Sequence, residues 1–274
     1  MDIARSLQLA GIGLVAGTWG ALIGAGGGFI MVPLLLLFDP ALSAAKVTAA
    51  SLVAVFATGL SGTTVYARLR RIDYLLGALF LAATLPGGVL GALAVNHIPR
   101  GLFQVLFGGL LSLVALYIFA RPRYRAPSAA ASRGARRRLV DSTGVAFEYR
   151  ADLRLGLAVT SVAGFLSGML GVGGGIFAVP AFVYLLHIPI HVATATTQFM
   201  MVGTTLVANA TNILEGDLGG LWDTALALTA GTVVGAQVGA RLSRTIGSVR
   251  LSRVLAAALL VAGLRLAYNG IATP

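Results

Sequence analysis

The chain repeats itself. Gly17, Gly24, Gly26, Gly27, Gly28, Val32 and Pro33 recur in register, 147 residues later, as Gly164, Gly171, Gly173, Gly174, Gly175, Val179 and Pro180. Segment 47–52 corresponds to 193–198 with a one-residue gap, and 87–92 corresponds to 231–236. The chain therefore reads as two homologous halves, an arrangement widespread among transporters. Each half contains three consecutive glycines inside an apolar run. Such a triplet strongly weakens a continuous helix.

Apolar stretches run at 7–38, 44–66, 74–95, 101–120, 153–186, 192–214, 221–240 and 251–270. A helix needs about 20 apolar residues to cross a bilayer. Six stretches have that length. The other two, 7–38 and 153–186, are too long for one simple span, and both are interrupted by the glycine triplets. Apolar residues make up 57% of the chain and charged residues 11%. That is less than half the usual charge of a soluble domain, about 25%, which argues against a soluble enzyme. Disorder is excluded by the same apolarity. The N-terminal run resembles a signal peptide only superficially, because it continues to Phe38 and recurs in mid-chain. The expectation is an all-α polytopic membrane protein of two homologous repeats, at 1–120 and 153–274. Each repeat has a glycine-broken or re-entrant helix plus three transmembrane helices.

A net charge of +11 could suggest nucleic acid, but the arginines are placed otherwise. Nine of the twenty basic residues lie between Arg121 and Arg154. Arg68, Arg70 and Arg71 form a second group; Arg241, Arg244, Arg250 and Arg253 form a third. All three lie between apolar stretches, as cytoplasmic loops do. No aromatic-interleaved basic motif accompanies them, so no nucleic-acid partner is expected. Segment 121–152, rich in Arg, Ala, Ser and Pro, reads as a basic cytoplasmic linker. Two topologies are open. If each broken stretch crosses fully, the arginines of 241–250 fall outside. If each re-enters and returns to its own side, all three basic segments are inside and the acidic turn at Glu215 and Asp217 is outside. The second obeys the positive-inside rule throughout, makes the two halves inverted, and is the preferred reading. Length argues for the first, since 7–23 is nearly a full span.

Polar backbone at membrane depth is tolerated where it is buried in protein or lines a cavity. Gly26, Gly27 and Gly28, and Gly173, Gly174 and Gly175, stand at such breaks. Each triplet precedes an apolar half-helix whose N-terminus carries free N–H groups and about half a positive charge. Bare glycine amides admit an anion closely. Thr48, Ser51, Thr194, Thr197 and Gln198 lie near the starts of the next helices and offer donors suited to an oxoanion. The competing reading is local: hydroxyls often bond their own i−4 carbonyl, and glycines often serve helix packing. Packing is the preferred role for Gly87, Gly91, Gly231, Gly235 and Gly239. Leucine at Gly27 or Gly174 is expected to abolish transport without unfolding the chain. Asn209 and Asn212, further along the same helix, need partners in hydrocarbon, and another helix would serve as well as a substrate.

Cysteine is absent, so thiolate metal sites and cysteine nucleophiles are excluded. His187 and His191 lack a third ligand for zinc. No metalloprotease, P-loop or serine-elbow motif occurs. No metal, cofactor or catalytic residue is expected, and no carboxylate marks the centre of a span for proton coupling.

With the duplicated Gly-x-Gly-Gly-Gly-x-x-x-Val-Pro segment at 24–33 and 171–180, and the paired segments at 44–52, 192–198, 87–92 and 231–236, the chain resembles the sulfite exporter TauE/SafE family of membrane permeases. The resemblance covers nearly the whole chain outside the linker. It implies a multi-pass protein of a bacterial-type inner membrane. It also implies transport of a small sulfur-containing anion such as sulfite, thiosulfate or an organosulfonate. Leu52 stands where the second half has Gln198, which argues against a symmetric polar site. An anion channel, or a membrane scaffold that recruits a partner through its basic loop, is the alternative function.

Overall fold

The computed structural model describes residues 3–120, 134–243 and 248–272. Arg121, Arg123, Arg125, Arg133 and Arg244 lie outside them. The first half contains α1 (Ile3–Ile23), α2 (Gly28–Phe38), α3 (Ala44–Arg68), α4 (Tyr74–Ala94) and α5 (Arg100–Ala120). The second contains α6 (Leu153–Leu170), α7 (Gly175–Tyr184), α8 (Ile190–Leu214), α9 (Trp222–Leu242) and α10 (Ser248–Ala272). Among the described residues, five helices are long and apolar enough to cross a membrane: α1, α3, α4 with the turn after it, α6 and α9. The all-α polytopic fold is therefore present, with one addition. Inside the segment read as an irregular linker, β1 (Ala135–Val140) and β2 (Ala146–Ala151) form an antiparallel hairpin. Its alternation was hidden by arginines, which occupy strand positions as readily as loop positions when one face stays wet.

Apolar and polar residues are distributed as in a lipid-soluble body. Leu90, Leu113, Leu116, Val162, Leu206 and Val234 are exposed on the helices, whereas Thr48, Ser51, Thr160, Thr205, Gln198 and Asn212 are completely buried. Hydrocarbon cannot satisfy a hydroxyl or amide, so these groups turn inward.

Close helix contacts follow the glycines. On α9, a Cβ on Gly231, Gly235 or Gly239 would fall under 3.0 Å from the backbone of α1 at Ala10, Leu14 or Thr18. Gly87 and Gly91 of α4 meet the backbone of α6 at Ser161 and Phe165 in the same way. The equivalent glycines of the two halves thus bring α9 to α1 and α4 to α6, the packing role expected of them.

Both glycine breaks turn the chain back on itself. At the end of α2, Asp39 accepts a 2.5 Å bond from Arg5, near the start of α1. Gly27 packs on the Ala16 carbonyl. Residue pairs 16 with 27 and 5 with 39 describe a helical hairpin, and the 11 residues of α2 reach back about 16 Å. Arg100, at the start of α5, donates to the carbonyls of Leu36 and Leu42 at the same end. In the second half, Gly174 packs beside Ala163 and Ser167. Val183, Leu186 and Ile188 share a buried cluster with Tyr149 and Ala151, just before α6.

The start of α6 belongs to the other end of the body. There the β-hairpin is docked on the α3–α4 connection. Arg71 donates twice to Asp141, at 3.0 and 3.2 Å. Arg137 and the Tyr149 hydroxyl both donate to Asp73. The Ser142 amide donates to the Leu69 carbonyl. Since α3 runs from the Arg100 end to the hairpin end, α1 and α6 start at opposite ends.

Candidate functional site

The breaks are built by backbone geometry that only glycine adopts readily. Gly24, Gly26 and Gly27 have φ of 81°, 83° and 84°; Gly171, Gly173 and Gly174 have 72°, 86° and 73°. Gly27 and Gly174 cap α2 and α7 in the left-handed conformation, and neither helix has a side-chain cap. The positive ends of both half-helices are thus left to whatever lies in front of them.

In front of each lies the other half of the protein. Gly28, first residue of α2, abuts the Gly171 carbonyl, and Gly175, first residue of α7, abuts the Gly24 carbonyl. A Cβ at either place would overlap that oxygen. Gly26 and Gly173 both face the Val55 methyl and the Met201 sulfur, which pack against the centre. Val55 and Met201 are themselves equivalent positions of the two halves.

The hydroxyls cross over in the same manner. Thr48 sits on Gly171 and is 3.5 Å from the Met169 carbonyl; Thr194 sits on Gly24 and is 3.5 Å from the Ile23 carbonyl. Ser51 donates to the Gly171 carbonyl at 2.9 Å. Thr197, its counterpart, donates instead to Ala193 in its own helix. Leu52 is buried with Ala92 and Ala208. Gln198 is wholly buried against Gly62, and neither amide atom has a protein partner.

The structure therefore brings Gly26, Gly28, Gly173, Gly175, Thr48, Ser51 and Thr194 together at the meeting of the two breaks. Gly27 is turned away onto α1. Its left-handed φ and the Ala16 carbonyl under 3.0 Å from a Cβ leave no room for leucine. The expectation that leucine there spares the fold is corrected on that ground.

Gly174 shares the left-handed φ, so leucine is strained there too and the same correction applies, but its surroundings differ from those of Gly27. Beside it lies a small cleft with about 10 Å³ of space, lined by Thr84, Gly164, Gly173, Thr197 and Thr204 among others. That is room to centre about one water molecule. The hydroxyls of Thr84 and Thr204 are 2.5 Å apart. Ser167, near Gly174, has a buried hydroxyl without a partner in the protein. Reading the sequence alone missed Thr84, Ser167 and Thr204. Thr204 stands one heptad after Thr197, a spacing that could have revealed it.

At the hairpin end, burial pushes the Asp73 carboxyl up, and hydrogen bonds from Arg137, Tyr149 and the Leu76 amide outweigh it, holding the group below the usual carboxylate range. Burial acts likewise on Asp141, where bonds from Thr143, Arg71 and the Val145 amide bring it well below that range. Burial, then the bond to Asp73, pushes the Tyr149 phenol up. The Asp73 amide donates to the Thr196 hydroxyl, which ties this ion-pair end to α8. His191, also on α8, places its ring 6.2 Å from that of Phe147.

An apolar helical exterior, hydroxyls and amides turned inward and two returning glycine-broken helices define a multi-pass integral membrane protein. The family model for the sulfite exporter TauE/SafE matches residues 9–266. The chain belongs to that family and is a membrane transporter. It is 32% identical to the probable membrane transporter protein YunE of Bacillus subtilis, over 95% of this chain and 96% of the relative. It is 28% identical to a probable membrane transporter protein, ORF9, of Sinorhizobium sp, over 92% and 87%. It is 24% identical to YfcA of Escherichia coli K12, over 90% and 84%. No solved structure matches the chain.

Proposed function

We propose that the protein carries a small sulfur-containing oxoanion, such as sulfite or an organosulfonate, across the inner membrane of a bacterium. The two halves act as inverted repeats. The anion rests near the midplane, at the half-helix starts, and the halves move about it in alternating access. The supporting observation is the pair of uncapped helix starts at Gly28 and Gly175, each facing the opposite break. In the closed arrangement the Gly171 and Gly24 carbonyl oxygens stand where positive helix ends draw negative charge. Separating the halves frees those ends for the oxygens of an anion. The Gly174 cleft, with its hydroxyls at Thr84, Thr197 and Thr204, is the part already opened.

The family's description as a sulfite exporter and the absence of any carboxylate among these residues favour a small, dispersed anion over a metal or a cation. The test is a proteoliposome flux panel of sulfite, sulfate, thiosulfate, sulfoacetate and chloride at two pH values. Saturable movement of a sulfur oxoanion supports the reading. Movement of chloride alone, or single-channel currents far above carrier turnover, overturns it.

A further inference from the structure

α8 is 25 residues long, yet it is not among the five helices apolar enough to qualify as spans. Part of the deficit lies on one face, where the amides are. Gln198, Thr205, Asn209 and Asn212 are spaced by seven, four and three residues, which places them on a single stripe. The stripe extends about 21 Å along the helix. All four are buried, with Asn209 the most accessible at 8%. Among the amides, only the Asn209 nitrogen has a partner, the Leu52 carbonyl at 3.1 Å. Both amide atoms of Gln198, both of Asn212 and the Asn209 oxygen have none in the protein.

This stripe faces α3. Gln198 lies against Gly62, and Asn209 reaches Leu52. Neither offers a side-chain donor. The positions of α3 equivalent to Gln198 and Thr205 are Leu52 and Gly59. Packing alone does not account for three amides on one side of a helix seam with five polar atoms unpaired. Buried amides are normally satisfied, and those that are not mark a place for a polar guest.

We propose that this face of α8 is the track along which the anion and its water cross the membrane. The proposal rests on the transport reading above and adds the route. Neutral amides suit that task. They donate to oxyanions and accept from water, and without fixed charge they hold an anion weakly enough to let it leave. The ladder spans from Gln198, one turn after Thr194 on its glycine break, to the far end of α8 at Asn212.

The experiment uses the full chain in lipid vesicles. Gln198→Met and Asn212→Leu remove the amides at nearly constant volume. The expected result is at least a tenfold loss of sulfite, thiosulfate or organosulfonate flux, with the melting temperature unchanged or raised; flux within twofold of the wild type in both variants overturns the track. Because the chain contains no cysteine, a second measurement avoids dependence on those variants folding. Gln198→Cys, Thr205→Cys and Asn212→Cys are exposed to an anionic methanethiosulfonate, with the lipid-facing Leu206→Cys as control. Labelling of the stripe but not of the control is expected. No labelling at any stripe position overturns the track. Wild-type vesicles that move no sulfur oxoanion overturn the substrate reading, whereas labelling still decides the route.

Discussion

The Ser51 hydroxyl of α3 donates to the carbonyl of Gly171, the residue that ends α6 in the other half of the chain. This bond joins a side chain of the first repeat to the break of the second, and Thr48 leans on the same glycine. Ser51→Ala leaves a buried carbonyl short of a partner, at a cost of about 1–3 kcal/mol. The expected outcome is a lower melting temperature in detergent and reduced flux, whereas Thr197→Val, whose hydroxyl bonds only its own helix, shifts the melting temperature less.

Gly28 and Gly175 are helical by backbone, so alanine would be favourable there on propensity alone. Contact overrides propensity: the opposite carbonyl occupies the space of a Cβ. Gly28→Ala and Gly175→Ala are expected to force the halves apart and to destabilise the fold by several times the propensity gain. Gly11, on the outer side of α1, has nothing within 4 Å of such a Cβ. Gly11→Ala is expected to stabilise by about 0.5–1 kcal/mol. Thermal unfolding of the three variants side by side checks the contrast, and equal melting temperatures would contradict it.

Thr204 lies in the cleft beside Gly174, and its removal does not orphan Thr84, which also donates to the Leu81 carbonyl at 2.8 Å. Thr204→Val is therefore expected to alter stability by less than about 1 kcal/mol while lowering flux through loss of a hydroxyl from the cleft. A Michaelis analysis in vesicles separates weaker binding from slower turnover.

Asp73 and Asp141 hold the β-hairpin to the helical body. Their carboxyls titrate lower in the folded protein than in the unfolded chain, so they contribute stability above the ordinary carboxylate pKa, about 4, and lose it as pH falls through their depressed folded values. Hairpin amides are expected to stay protected from hydrogen exchange at pH 7 and to lose protection in strong acid. Asp73→Asn should loosen the hairpin at neutral pH. Losing the charged acceptor of the Arg137 and Tyr149 bonds costs about 1.5–3 kcal/mol, since Arg137 keeps access to water, and exchange mass spectrometry on 135–151 reads the effect. Protection unchanged by this substitution would show that the strands, rather than the ion pairs, keep the hairpin in place.

The positions of the helices were legible because apolar length and glycine punctuation are local properties. Gly26 to Gly28 and Gly173 to Gly175 marked both breaks, and the packing glycines of α4 and α9 stood out by their spacing. The hairpin at 135–151 was not legible, since Arg136, Arg137 and Arg138 mask a strand whose alternation is stabilised by a docking partner distant in sequence. The cross-over at the centre was hidden as well. Thr48 and Ser51 follow the first break in the chain but serve the second.

Sequence alone determined that this chain is a duplicated, membrane-embedded bundle with two weakened helices, because hydrophobic length, charge placement and glycine runs act on the residues that carry them. Tertiary structure alone decided which half supplies each contact to each break, that carbonyls and the Val55 and Met201 side chains fill the centre, and that one face of α8 keeps unpaired amides. Those outcomes depend on which surfaces meet when the two halves interlock, a relation between residues more than a hundred positions apart.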